Sequence, residues 1–396
     1  MPLPLFALFL AAFAVGTNEL IIAGLLPALA RDLEVSIPTA GLLISGYAIC
    51  VAVGGPILAI FTNRLPRKPL LIGLMAIFVA GNVLCAFATS YWFLMAARLV
   101  ISCSHGLFFG VAMIIATELV PTHRRSTAVA LVVAGFTVAS VLGAPIGTAI
   151  GNAFGWRASF WAIASVGVVV TLAIAALVPS PRAGEKLPET SLASQVRAAS
   201  RQPVLLAYLM IALVMTGELA VFSYIVPILT TVTGLSIVVV PWILFASGLG
   251  GIIGNLVGGR LGDWKPMPAL IAIFVVGIAI YLVLLAALRQ PVAMTVVVFL
   301  WSAVGLSFAA PVQSRILKWS SDAPNLASTL ISTAFNIGIA AGAWLGGLAL
   351  NGGWSYADLP WIGVLFGTAA LAVAIVSFVL EKRSMGAVPL AVLPPP

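Results

Sequence analysis

Residues Phe6–Ala30 read FALFLAAFAVGTNELIIAGLLPALA. About 20 predominantly apolar residues suffice to cross a bilayer as a helix. A segment this apolar has nowhere else to satisfy its backbone, because hydrocarbon offers no hydrogen-bond partners. Near its middle stands a carboxylate, Glu19. At that depth a carboxylate costs about 2.5 kcal/mol or more on insertion scales, and it usually faces a cavity or a partner. The feature returns later. AVGTNELIIAGLLP (14–27) is echoed by LVMTGELAVFSYIVP (213–227), pairing Thr17 with Thr216 and Glu19 with Glu218, each 199 residues apart (218 − 19). The prolines slip by one, Pro27 against Pro227.

Composition agrees with a membrane solvent. The 396 residues are 62% hydrophobic and 8% charged, whereas soluble domains carry about 25% charged residues. The net charge of +8 does not imply nucleic acid, since the basic residues are scattered over short loops and form no block or basic helix. Cys50, Cys85 and Cys103 each lie in an apolar segment. They have neither a disulfide framework nor metal-ligand spacing and read as small packing residues. The first apolar run is too long for a signal-peptide core and has no basic segment before it, so it is expected to be the first span.

Twelve spans are expected: 5–30, 38–62, 69–89, 91–116, 126–150, 158–178, 203–228, 236–259, 267–288, 292–313, 325–350 and 358–380. With the N-terminus inside, cytoplasmic loops and the tail hold 15 Lys and Arg residues. Only Arg31, Arg157 and Arg289 fall outside, and Arg98 lies within a span. Such a split favours both termini in the cytoplasm and an even number of spans. The longest hydrophilic stretch, 179–202, reads as a cytoplasmic linker, with Thr190–Ser200 able to form a short amphipathic surface helix. It separates a first bundle, 1–178, from a second, 203–383. The Pro-rich end, 384–396, is expected to be disordered.

The halves repeat further. GFTVASVLGAPIG (135–147) aligns with AFNIGIAAGAWLG (334–346), pairing Phe136 with Phe335, Gly143 with Gly342 and Gly147 with Gly346. Gly-Trp at 155–156 meets Gly-Trp at 353–354 after a slip of one. Same-sense repeats of six spans imply a pseudo-twofold axis along the membrane normal, with sites near the midplane between the repeats. The fold class expected is therefore all-α, with twelve transmembrane helices in two pseudo-symmetric six-helix bundles.

At this point the chain resembles the major facilitator superfamily. More narrowly, it is similar to twelve-span drug:proton antiporters of the bacterial sugar-efflux and chloramphenicol-resistance type. The resemblance rests on TNELIIAGLLP in span 1, RLVISCSHGLFFG (98–110) in span 4 and LGAPIGTAIGNAFGWR (142–157) in span 5. AIFTNRLPRKPLL (59–71) occupies the place of the family's G-x-L-a-D-R-x-G-R-R/K loop. Arg64, Arg67 and Lys68 match, but Asn63 replaces the motif's Asp. GGRLGDW (258–264) is a better copy, with Asp263 in that place. The resemblance implies that these loops latch one closed state; the same basic residues would also serve topology alone. Gly143, Pro145 and Gly147 stand where the family has its span-5 antiporter motif, with Pro one residue late. That implies a bend and close approach at the interface between halves, although ordinary small-residue packing uses the same pattern.

Span 4 carries Arg98, Ser102, His105 and Phe109 on one helix face. A guanidinium stays charged, so Arg98 needs a partner or water. The resemblance implies a role in proton coupling. The alternative is an arginine reaching the outer interface near Tyr91. His105 can titrate near neutral pH or be a satisfied structural histidine. Burial disfavours the charged form of a carboxyl, so Glu19 and Glu218 can hold a proton and release it when water or a cation arrives. The resemblance also implies a cavity lined by spans 1, 4, 7 and 10. Asn18, Phe108, Tyr224 and Trp301 are its candidate substrate contacts, with Tyr47 and Asn336 from flanking spans.

No GxxxxGK[ST] loop, GxSxG elbow or HExxH motif occurs. The expected function is export of small organic molecules, of drug or sugar type, by proton antiport. No cofactor, metal or catalytic residue is expected, the proton gradient being the energy source. The alternatives are a proton symporter importing a sugar or nucleoside and, remotely, a membrane-embedded enzyme or receptor. Expected partners are the substrate, protons and the lipid of a bacterial inner membrane, with the chain a monomer.

Overall fold

A computed structural model describes residues 2–62, 65–179, 192–322 and 324–386. Among them every regular element is helical. Twelve helices are long and apolar enough to span a bilayer: α1 Leu3–Asp32, α2 Ile37–Ala59, α3 Arg67–Ala86, α4 Tyr91–Glu118, α5 Thr127–Phe154, α6 Trp156–Leu177, α7 Gln202–Phe222, α8 Val240–Trp264, α9 Pro266–Ala287, α10 Pro291–Trp319, α11 Leu326–Asn351 and α12 Pro360–Lys382. An even number of alternating spans puts both chain ends on one face, here the terminal face. Trp92, Leu172, Val292 and Leu365 turn outward, each at least 64% exposed. Apolar side chains scattered that widely over a surface suit contact with lipid.

Most expected spans recur with ends moved by a few residues. The seventh differs. It was expected to run unbroken to 228, but α7 stops at Phe222, and a short turn, Ile225–Pro227, leads into a π-helical segment, Ile228–Val232. Pro227 cannot donate to the carbonyl of Ser223 and its ring clashes there, so the helix breaks at that carbonyl. Pro27 remains inside α1. α5 carries a π turn at Ala139–Gly143, ending two residues before Pro145, a usual place for a proline-associated bend. Both Gly-Trp repeats reverse the chain at glycines with positive φ, 88° at Gly155 and 94° at Gly353, where a side chain would be strained. The surface helix occupies Leu192–Ala199, inside the expected 190–200. The last helix runs to Gly386, past the expected start of the tail at 384. The rest of the tail, 387–396, lies outside the described residues.

In the first six spans, α1 packs on α5 and α6, α2 on α4, and α3 on α4 and α6. In the last six, α7 packs on α11 and α12, α8 on α10, and α9 on α10 and α12. The two groups meet chiefly through α2 with α11 and α5 with α8. On the face opposite the termini, Tyr224 lies against Gly41, and Gly347 approaches Pro38. Asn152 Nδ2 donates to the Ile237 carbonyl at 3.4 Å. Nearer mid-depth, Thr333 Oγ1 donates to the Ala52 carbonyl at 3.3 Å, and Gly248 seats on the backbone of Ser140 and Val141.

Candidate functional site: two buried carboxylates

In the first half, Glu19 looks from α1 into an ionisable cluster. Its Oε2 lies 3.8 Å from His105 Nδ1, and its side chain is 11% exposed. The same Nδ1 shares a 2.9 Å hydrogen bond with the Tyr47 hydroxyl. Arg98, two turns before His105 on α4, is wholly buried, so it does not reach the outer interface. Its Nε donates to the Leu43 carbonyl at 3.3 Å, and its Cζ sits 4.6 Å from the centroid of the Tyr47 ring. It is the cation that acts on Glu19 through space. A buried charge must be paired or hydrogen-bonded to persist. Here the Tyr47 face and the Leu43 carbonyl hold the guanidinium, and Glu19 completes its surroundings.

In the second half, Glu218 meets no such partner. Its carboxyl lies flat on α10 at Gly305, where an added Cβ would come within 2.5 Å of Oε1. Beside it stand the Tyr281 hydroxyl and, next to that, the Trp301 indole. Neither the hydroxyl nor the indole N–H reaches hydrogen-bond geometry with a partner. The residues 199 after Arg98 and His105 are Val297 and Val304. The repeat therefore keeps the carboxylate and replaces its basic company with valine.

The expected substrate contacts are corrected by their packing. Asn18 and Tyr224 are 0% exposed, Tyr47, Phe108 and Trp301 1%, and Asn336 6%, so none lines an open cavity in this structure. Asn18 turns to α3, donating to Asn82 Oδ1 at 3.0 Å. Asn336 Nδ2 donates to the Ser332 carbonyl. Tyr224 donates to the Ala343 carbonyl at 2.9 Å and braces the contact between halves. The polar tips of Asn18, Tyr224 and Asn336 each found a backbone or amide acceptor, which took those side chains out of play. Missing from the expectation were Phe109, Phe136 and Phe335, all half-buried. Phe109 packs on Phe136 at 5.8 Å, and Phe308 on Phe335 at 6.0 Å. The two pairs are related by the same 199-residue offset, so the repeat already contained the signal.

The gating candidates divide. Asn63 and Arg64 lie outside the described residues. Arg67 pairs with Glu118 at the end of α4; Lys68 is half-buried beside it, and Asp263 is exposed at the end of α8. Gly143 and Gly147 do not sit at the interface between halves as expected. They seat α5 on α1, against Thr17 and Ile21, while Ser140 and Val141 make the contact with α8. Pro145 is buried just after the π turn. At the terminal face of the second half, Arg315 donates to Glu381 Oε2 at 2.6 Å and to Ser377 Oγ at 2.8 Å. That buried pair carried no sequence signal beyond its charges.

Comparison with known proteins bears on this architecture. The profile of the Major Facilitator Superfamily matches residues 8–317. Inner membrane transport protein YdhP of Escherichia coli is 36% identical over 94% of this chain and 95% of its own. The chloramphenicol resistance protein of Streptomyces lividans is 32% identical over 94% and 96%. Among solved structures, a bacterial homologue of the human lysosomal transporter Spinster, crystallised inward-facing and unoccupied, superposes with a TM-score of 0.71. Its identity is 16%, over 96% of this chain and 95% of that one, which speaks to fold alone. Extended matches at these identities, together with twelve spans and a repeated carboxylate, make this chain a transporter of the major facilitator superfamily.

Proposed function

We propose that this protein exports small organic molecules in exchange for protons, with Glu19 as the exchanging carboxyl. The observation that carries the reading is the cluster of Glu19, His105, Tyr47 and Arg98 inside otherwise apolar helices. Arg98 stays charged in any state. Because Tyr47 and Leu43 hold it independently of Glu19, the carboxyl can gain and lose a proton without stranding the cation. An ionised Glu19 neutralises Arg98; a protonated one does not. Substrate and proton therefore compete for one electrostatic state, which is the requirement for exchange.

The half-buried Phe109, Phe136 and Phe335 supply apolar faces for an organic substrate. The direction of transport is supported by the similarity to a chloramphenicol resistance protein. The 15-to-3 distribution of basic residues supports a cytoplasmic terminal face. The halves meet from the far face to about mid-depth, which would then be an inward-facing arrangement. The protein works as a monomer in a bacterial inner membrane.

The test begins with a growth-inhibition screen of a sensitive host, using toxic drugs and sugars, to find a substrate. Everted vesicles should then accumulate that compound when a proton gradient is imposed and lose it on adding a protonophore. Accumulation that ignores the protonophore would contradict the reading. Single cysteines at the exposed Ser200 and Ser236, with the native three removed, should react from opposite sides with an impermeant thiol reagent. Labelling of position 200 on intact cells would reverse the topology.

A further inference from the structure

Glu218 opens onto a cavity of its own, inside the second half. Val214, Phe274, Gly277, Tyr281 and Gly305 are among its walls. It offers about 30 Å³ to the centre of a water molecule, against the roughly 10–15 Å³ that one bound water requires. An organic substrate does not fit. The cavity has a direction. Val214 on α7, Phe274 on α9, Phe308 on α10 and Gly367 on α12 all line it. Along its own helix each lies nearer the terminal face than Glu218, Tyr281, Gly305 and Gly363 respectively. The cavity therefore extends from Glu218 towards the terminal face through the core of α7, α9, α10 and α12, apart from the contacts between halves.

Two polar groups of its wall gather where it ends, the Glu218 carboxyl and the Tyr281 hydroxyl, with the Trp301 indole behind Tyr281. Tyr281 is 4% exposed and Trp301 1%; the hydroxyl of one and the N–H of the other lack partners, and Glu218 lies beside them. An indole N–H only donates, so the arrangement does not suit a metal ion. It suits a small molecule that both accepts and donates. We propose that this cavity binds water on the terminal side of Glu218, and that this water exchanges protons with the carboxyl as a branch separate from the Glu19 cluster. The water accepts from the Tyr281 hydroxyl and donates to Glu218; as the carboxyl passes its proton to the water, the water passes one of its own back, so each O–H bond broken is matched by one formed. The branch rests on the proton-coupled reading for its role in transport but not for its existence.

The test is hydrogen–deuterium exchange of the protonated Glu218 carboxyl, followed by infrared spectroscopy of the wild-type protein in lipid vesicles without substrate. The C=O band lost in Glu218→Gln identifies the group. In the wild type that band should shift rapidly on transfer to heavy water. Gly277→Leu should abolish the fast phase by filling the cavity. A Cβ at 277 meets only Val304 Cγ1, at 3.8 Å, so the added side chain has room to enter. Tyr281→Phe should move the band, and Gly277→Ala should leave exchange fast. The proposal is overturned if Glu218→Gln removes no protonated-carboxyl band, or if exchange is as fast in Gly277→Leu as in the wild type. Rapid, cavity-dependent exchange in a protein that showed no proton-driven efflux would sustain the water site and refute the transport reading instead.

Discussion

The two halves of this transporter place a glutamate at equivalent positions and surround it differently. Glu19 has a permanent cation, an imidazole and a phenol within its cluster. Glu218 has a glycine backbone, a phenol and an indole, and the basic residues of α4 become Val297 and Val304 on α10. The difference teaches that a repeated carboxylate need not be a repeated function. Next to Arg98 an ionised carboxylate is balanced by charge. In an uncharged pocket an ionised carboxylate has no such compensation. Duplication supplied two similar frames, and the neighbours decide which can exchange a proton against a charge.

The largest contrast should come from Arg98. Arg98→Lys keeps the charge but loses the planar group that lies on Tyr47 and donates to Leu43. Proton-driven efflux should vanish at normal protein levels, whereas Val297→Ala at the equivalent place should retain it. Full activity of Arg98→Lys would dissolve the contrast.

The same substitution in both halves comes next. Glu19→Gln leaves Arg98 buried without its carboxylate. Arg98 and Glu19 share a cluster without a direct ion pair, and Tyr47 and Leu43 still hold the guanidinium, so the loss should stay below the roughly 3–5 kcal/mol of a broken buried pair, at about 2 kcal/mol. Glu218→Gln should be neutral. Thermal unfolding in detergent would show the difference, and adding Arg98→Met to Glu19→Gln should restore most of it. Equal shifts for the two Gln variants would show that charge balance does not separate the halves.

Smaller again is the response of two equivalent glycines. A Cβ on Gly106 would meet the Gly55 backbone, at 2.8 Å from Cα and 2.9 Å from N, and backbone cannot step aside. A Cβ on Gly305 meets only the Glu218 carboxyl tip. Gly106→Ala should cost about 1 kcal/mol, the low end of the usual range for overpacking, and Gly305→Ala less. The reverse order in thermal unfolding would mean that the Glu218 carboxyl is held rigidly.

The smallest effect belongs to the surface. Arg201 grips Asp322 with two 2.8 Å hydrogen bonds, which hold its carboxyl below the usual range. A depressed carboxyl contributes stability at neutral pH and loses it as pH falls through the lowered value. Since the pair is exposed, Asp322→Asn should shift the thermal unfolding midpoint only slightly. Its slight effect should fade in acid and in high salt.

Much of this was legible in the residues. Hydropathy and length marked twelve spans because lipid forces each crossing helix to be apolar over its whole depth. The 199-residue offset marked the two glutamates, and the spacing from Arg98 to His105 put both on one face of α4. Other features were not legible, for physical reasons. Tyr47, Tyr224 and Asn18 looked like cavity contacts, yet each found an acceptor within the helix packing. The glycines of α5 read as an interface motif because the pattern that brings α5 onto α1 is the one that would bring it onto the other half. Tyr281 was overlooked because its importance lies in a neighbour 63 residues away (281 − 218), which only packing discloses.

The division between the two carboxyls is tested most directly in vesicles reconstituted with equal amounts of folded protein and driven only by an imposed pH gradient. Glu19→Gln imitates the protonated side chain and cannot cycle, so substrate should not accumulate against its gradient. Counterflow of labelled for unlabelled substrate, which needs no proton, should be retained. Glu218→Gln should still accumulate substrate, at a reduced rate. If Glu19→Gln vesicles accumulate substrate as the wild type does, proton exchange at Glu19 is excluded and the coupling carboxyl lies elsewhere.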